Sequence, residues 1–201
     1  MPLQLRGENV DEAPASRVLP VTGQEQEFIF ENIETAPVPS LLRGFSAPVK
    51  LRSNLGADEE RFLYQHDSDP FARWDAGQSY LTRMLLDAAA GGRESVLEEA
   101  FHDAVADILR DSSIEPAFAA ELLTLPGESV LAESMLPADP EAIHRVRRAA
   151  RTEIGLKHAD VFKALYGRLA GAYAADDMST AAMGSRVLKA VALGYLVAGG
   201  E

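Results

Sequence analysis

The feature that most constrains this chain is a change of hydrophobic period near residue 56. Before it, short runs rich in Val, Ile and Phe nearly alternate apolar with polar residues; after it, up to Ala198, apolar residues recur at spacings of three and four. Alternation suits one face of a strand and the longer spacing suits one stripe of a helix, so a single element cannot serve both. The pattern predicts a mainly α fold: an irregular α–α superhelix of antiparallel helix hairpins, preceded by a small β-bearing segment. The expected boundaries are residues 1–55 for the β-bearing segment and residues 56–201 for the helical superhelix domain.

Three stretches carry the β reading. "RVLPV" (17–21) and "QEFIFENI" (26–33) are short strand-like runs, the second with Phe28 and Phe30 on one face. "GFSAPVKLRS" (44–53) reads as a third, with Phe45, Ala47, Val49 and Leu51 on one side and Pro48 confining it to an edge. Segment 6–16 is polar and marked by Pro and Gly, hence a loop.

The helical part is punctuated by start and stop residues. Asp69-Pro70 and Asp139-Pro140 each place an N-cap before a proline at the first helical position, and Ser179 and Thr180 open the last helix. Helices are expected over 57–67, 69–92, 94–111, 115–125, 128–136, 139–155, 158–171 and 178–200, the sixth and seventh being a candidate single helix. In the second, Phe71, Trp74, Gln78, Leu81 and Leu85 form one stripe; in the third, Val96, Leu97, Phe101, Val105 and Ile108 point inward. The Asp-Pro openings recur without a fixed period, which fits irregular hairpins better than a consensus solenoid.

Charge and composition narrow the function. A net charge of −12 speaks against nucleic acid and anionic membrane surfaces, which need clustered Lys and Arg. The absence of cysteine removes thiolate catalysis and Cys-type zinc sites. No basic-then-apolar leader opens the chain and no uninterrupted apolar run has membrane-spanning length, so a cytoplasmic location is expected.

A search for chemistry returns no constellation. The four histidines, His66, His102, His144 and His158, include no H-E-x-x-H pair, and His66-Asp67 and His102-Asp103 read as exposed helix positions. Neither a phosphate-cradling glycine loop nor a G-x-S-x-G elbow is present. The acidic groups Glu98-Glu99, Asp58-Glu59-Glu60 and Asp176-Asp177 read as solvated helix starts, and Arg147 and Arg151, flanked by Glu141 and Glu153, as a salt-bridged helix face. The expected catalytic, cofactor-binding and metal residues are therefore none.

Four blocks carry a resemblance. "VLPVTGQEQEFIFENIETAPVPSLLRGFSAPVKL" (18–51) resembles the late strands of the small β-sandwich domain of bacterial aminopeptidase N, a family of zinc gluzincins. "RFLYQHDSDPFARWDAGQ" (61–78) is similar to the helix start that follows there, and "EPAFAAELLTLPGES" (115–129) and "DPEAIHRVR" (139–147) to later segments. The likeness is collinear from about Leu3 to about Ala198.

The resemblance makes residues 1–55 a small, incomplete β-sandwich portion, a partial Ig-like segment, and residues 56–201 a helical superhelix domain cut short at its C-terminus. It implies a non-catalytic C-terminal region of a zinc aminopeptidase, packed over the catalytic domain, shaping its peptide cavity and inactive alone. The family's zinc ligands, exopeptidase motif and transition-state Tyr have no counterparts in this sequence, so zinc is expected only in the parent's catalytic domain. The partners implied are that domain, the parent's remaining domains and peptides in the cavity. Arg73 and Trp74 become candidates for docking the first long helix on the sandwich. Exposed apolar patches are expected near Val187–Val197 and beside Phe28, Phe30 and Phe45, with self-association of the isolated chain. The competing reading is a free-standing helical-repeat adaptor that binds a peptide or protein in its groove.

Overall fold

The computed structural model describes residues 2–8, 14–49, 51–91 and 96–200. The chain divides into two compact units, Met1–Pro39 and Ser40–Glu201. In the first, strand β1 (Gln4–Leu5) pairs antiparallel with β2 (Phe30–Glu31), Gln4 opposite Glu31 and Leu5 opposite Phe30. The ladder extends by one bond from Arg6 N to Ile29 O at 2.8 Å, and Asn32 Nδ2 donates to Gln4 Oε1 at 2.8 Å. Arg17 closes the unit by pairing with Glu8, Nη2 to Oε1 at 2.7 Å, and by donating to the Leu3 carbonyl.

The strand expectations are otherwise corrected. "RVLPV" forms no strand: Val18 is 92% exposed and Pro20 has no N–H to give a ladder. Within 26–33 only Phe30 and Glu31 pair. The 44–53 stretch departs furthest, because Leu42, Gly44 and Phe45 all adopt positive φ, and Arg43–Phe45 is a single 3-10 turn. Left-handed backbone cannot present alternate side chains to one face, and Phe45, Val49 and Leu51 are accordingly all exposed. The turn is held from below: Arg43 Nη1 binds Asp67 Oδ1 at 2.7 Å, and Gly44 N donates to Asp69 Oδ2 at 2.9 Å.

The second unit holds eight helices among the described residues: α1 (Ala57–His66), α2 (Pro70–Gly91), α3 (Glu99–Arg110), α4 (Pro116–Leu122), α5 (Glu128–Glu133), α6 (Pro140–Lys157), α7 (Ala159–Leu169) and α8 (Thr180–Gly199). Their starts follow the expected chemistry. Asp69 Oδ1 accepts from Ala72 N and Asp139 Oδ1 from Ala142 N, each at 2.9 Å, while Ser179 Oγ accepts from Ala182 N at 3.3 Å. These bonds satisfy amides that have no partner inside the helix. At α1 the Glu59 carboxylate reaches back to Gly56 N at 2.7 Å. α6 and α7 are not one helix: His158, at φ −113° and ψ 19°, breaks the helical path and makes an elbow.

α1 and α2 form an antiparallel hairpin, and α8 packs against α4, α6 and α7. α8 is long and apolar enough to cross a membrane by length and composition. Packing accounts for part of that character: Ala182, Leu188, Ala192, Tyr195 and Leu196 are buried in the core, and 39% of the apolar stretch is buried in all. Close approach needs small residues. Gly155 on α6 lies against the α8 backbone, where an added Cβ would overlap the Tyr195 carbonyl oxygen and come within 2.9 Å of Gly199 N. Gly77 on α2 likewise faces the Tyr64 ring.

An aromatic arc threads the core. Tyr64 stacks on Phe101 at 6.1 Å, Phe101 meets His102, His102 meets His158 at 5.3 Å, and His158 meets Phe162 edge-on. Phe162 then stacks on Tyr195 at 5.1 Å. The two terminal phenols converge on the end of α4, Tyr64 Oη donating to Leu122 O at 2.7 Å and Tyr195 Oη to Leu123 O at 2.5 Å. Burial pushes both phenols well above the ordinary tyrosine range, so they remain protonated donors.

Candidate functional site

The densest polar chemistry of the core lies midway along that arc. His102 sits on α3 in the same stripe as Val105 and Leu109, so the helical period carries it inward with them. His158 is at the α6–α7 elbow, and the two residues are 2% and 7% exposed. His102 Nδ1 lies 3.2 Å from His158 Nε2, and His102 Nε2 lies 3.0 Å from Glu153 Oε1 on α6. Glu153 Oε2 also accepts from Val96 N at 3.4 Å.

Donor roles follow from chemistry. An ionised carboxylate only accepts, so His102 Nε2 carries the hydrogen shared with Glu153. In a neutral ring Nδ1 must then accept, and His158 Nε2–H donates to it. The rim is charged: Lys157 on α6 binds Glu99 on α3, which holds the Glu99 carboxyl below its usual range. Burial, aided by the nearness of His102, Lys157 and Arg110, pushes His158 down from 6.5 to about 4. The arrangement can hold a proton and tie three helices. It does not make a zinc site: two ring nitrogens face each other, Glu153 is committed to the far side of one ring, and no group of three His, Asp or Glu residues placed to hold a metal ion occurs among the described residues.

The expectation that His102 is an exposed helix position is thus corrected, while Asp103 beside it is exposed. A second correction concerns Glu60, expected to be a solvated helix start. It is 8% exposed, pairs with Arg83 on α2, and burial raises its carboxyl above the usual range despite that arginine. Its neighbours at i+3 and i+4, Leu63 and Tyr64, are buried too, and that spacing was the available signal. Of the remaining acids, Glu98 accepts from Tyr80 Oη at 2.8 Å, Asp58 pairs with Arg61 at 3.1 Å, and Asp177 Oδ1 accepts from Ser179 N.

The basic stretch 144–151 faces several ways. Arg147 Nε donates to Pro126 O at 2.8 Å, tying α6 to the turn between α4 and α5, and His144 pairs with Glu128 at 2.9 Å. Arg151 lies over Gly194 of α8. Arg73 Nε donates to Tyr64 O at 2.9 Å, so it fastens α2 to α1 within the helical unit, while Trp74 is half-buried beside Phe71. A shallow cavity of about 300 Å³ beside α8 is lined by Leu169, Tyr173, Ser185, Arg186 and Lys189. Its cations are engaged: Arg186 binds the Ala174 and Ala175 carbonyls, and Lys189 lies 6.0 Å over the Tyr166 ring.

Apolar residues that find no cover are also placed. Met183, Val187, Leu193 and Val197 are exposed on the outer side of α8. Phe28 and Phe30 are half-buried in the first unit, while Phe45 is 54% exposed in the second and rests on Phe71 at 5.0 Å.

Comparison with known proteins supplies the relationship. Residues 57–201 match a domain of unknown function, DUF3458_C, described as ARM repeats, and residues 1–54 match a domain of unknown function, DUF3458, described as an Ig-like fold. The chain is 40% identical over 162 residues to aminopeptidase N of Caulobacter vibrioides, covering 80% of this chain and 18% of that protein. It is 41% identical over 169 residues to aminopeptidase N of Escherichia coli, covering 83% and 19%. Among solved structures, Legionella pneumophila aminopeptidase A in complex with aspartic acid superposes with a TM-score of 0.74 at 29% identity, over 86% of this chain and 21% of that one. The chain thus spans about a fifth of the length of the relatives it matches. Matched over well more than half its length, it belongs to the DUF3458_C family of helical ARM-repeat domains and is similar to a C-terminal portion of aminopeptidase N.

Proposed function

We propose that this chain acts as the non-catalytic C-terminal region of a zinc aminopeptidase, an Ig-like segment (1–55) followed by a helical domain (56–201) that packs over the catalytic domain and shapes its peptide cavity. The observation that carries this is the likeness to aminopeptidase N at 41% identity across 83% of the chain. The structure supports it in kind. Buried Tyr64 and Tyr195 and half-buried Arg73 and Arg147 are spent on holding helices together, each bound to a backbone carbonyl. The exposed apolar residues of α8 fit a helix that faces further protein. The likeness favours this reading over a free-standing adaptor.

In this reading zinc and the hydrolytic groups belong to the parent's catalytic domain, and the chain contributes shape and enclosure. The test is hydrolysis of an aminoacyl reporter by the chain alone with added zinc, and by an aminopeptidase N lacking the matched region with the chain supplied in trans. We expect no turnover in the first case and a gain in turnover in the second. Chelator-sensitive hydrolysis by the chain alone overturns the proposal.

A further inference from the structure

We propose that Glu153, His102 and His158 form a proton-responsive latch: it holds α3 against the α6–α7 elbow while the two rings share at most one proton, and releases it when both are charged. The geometry sets that limit. A first proton is well accommodated, because an imidazolium at His102 donates one N–H to Glu153 at 3.0 Å and the other to the lone pair of His158 Nε2 at 3.2 Å. A second proton leaves two N–H groups aimed at each other across that 3.2 Å gap, with no acceptor between them.

The surroundings oppose the second charge as well. Glu153 on α6 is bonded to His102, on the far side from His158. On α6 Lys157 and on α3 Arg110 add positive charge near His158, and the favourable Glu99 on α3 is already bound to Lys157. On the α7 side the ring makes a T-shaped contact with Phe162, beyond which lies Tyr195 of α8. Because the two rings are coupled, their protons are bound in two steps that belong to the pair.

The sign of the response follows. His158 is held below its unfolded value of 6.5, at about 4, so the latch contributes fully above 6.5 and is lost as pH falls from there toward 4. That gap sets an upper limit of roughly 300-fold on the rise in the opening equilibrium across the window. The elbow is where the release would show, because α7 meets α6 through one non-helical residue, His158 itself.

The experiment uses the full chain. Ring-nitrogen NMR follows both histidines through acidification, and amide hydrogen exchange, corrected for its intrinsic pH dependence, compares α3 and α7 with α2. We expect His158 to titrate well below an ordinary histidine and exchange in α3 and α7 to accelerate by one to two orders of magnitude. His158→Gln keeps a group able to bond His102 but cannot take up a proton, and it should remove the acceleration; His144→Gln, on the surface, should leave it. An unchanged acid step in His158→Gln, or a wild-type His158 ring titrating at an ordinary histidine value, overturns the proposal. Should the variant fail to fold, the wild-type ring titration decides alone.

Discussion

Replacing Gly155 by Ala separates two arguments that point in opposite directions. Intrinsic propensity favours alanine in a helix interior by about 1 kcal/mol, so a reading of α6 in isolation expects stabilisation. The packing says otherwise. The new Cβ would overlap the Tyr195 carbonyl oxygen and approach Gly199 N at 2.9 Å and its Cα at 3.2 Å, and all three are backbone atoms of α8 that cannot rotate away. Restoring ordinary contact requires α6 and α8 to part by roughly 1 Å, which forfeits about a quarter to a half of the dispersion at every facing contact. Overpacking of this kind costs about 1–3 kcal/mol and at rigid backbone falls toward the upper end, leaving a net loss of about 1–2 kcal/mol after propensity is offset. Urea denaturation followed by far-UV circular dichroism should show a lower midpoint at unchanged slope, and thermal unfolding a drop of roughly 2–8 °C. Gly167 on α7 is the matched control: a Cβ there meets nothing within 4 Å, so Gly167→Ala should stabilise by about 0.5–1 kcal/mol. A Gly155→Ala variant as stable as wild type would refute the close-contact argument.

Three further expectations rest on single interactions. Tyr195→Phe removes the donor to Leu123 O and strands a buried carbonyl, so it should cost about 1–3 kcal/mol in urea unfolding without changing helix content. Arg83→Met leaves the Glu60 carboxylate buried without its cation and should destabilise by about 1–3 kcal/mol near neutral pH; Glu60→Gln in the same background should recover part of that loss. Asp139→Ala deletes the cap on Ala142 N and should cost about 1 kcal/mol, reversed by Asp139→Ser but not by Asp139→Val.

The helices were legible because their ends are written in local chemistry. Asp-Pro at 69–70 and 139–140 and Ser179 cap as expected, and the inward residues of α3 are buried as its period requires. The stripe of α2 was read one step out of phase: Leu81 and Leu85 are buried, but Phe71 and Trp74 are only half covered while Ala72, Ala76 and Tyr80 face the core. Small residues hide that face, because alanine signals helix propensity as readily as burial. Strand character at 44–53 misled because alternation is indifferent to φ, and Leu42 and Phe45 are non-glycine residues in left-handed conformations that only tertiary contacts such as Arg43 to Asp67 maintain. The histidine latch was hidden for another reason. His102 lies 51 and 56 residues from its two partners, so neither pairing gives a spacing to read, and an adjacent aspartate made His102 look exposed.

The arc from Tyr64 to Tyr195 has a consequence for how this unit comes apart. A stack in which each hairpin touches only its neighbours can melt one layer at a time. Here α4, seven residues long and too short to persist alone, has its terminal carbonyls gripped by phenols 58 and 72 residues distant in sequence. Each bond forms only after its own helix, α1 or α8, has arrived, and the pair is complete only when both have, so it rewards completion of the unit over any fragment of it. Loss of either outer helix strands a carbonyl at the centre, and the damage passes inward instead of stopping at the edge. Above pH 6.5, where the histidine latch is closed, the domain should therefore exchange its core amides in one cooperative class, with the most local of its helices protected by the most distant of its contacts.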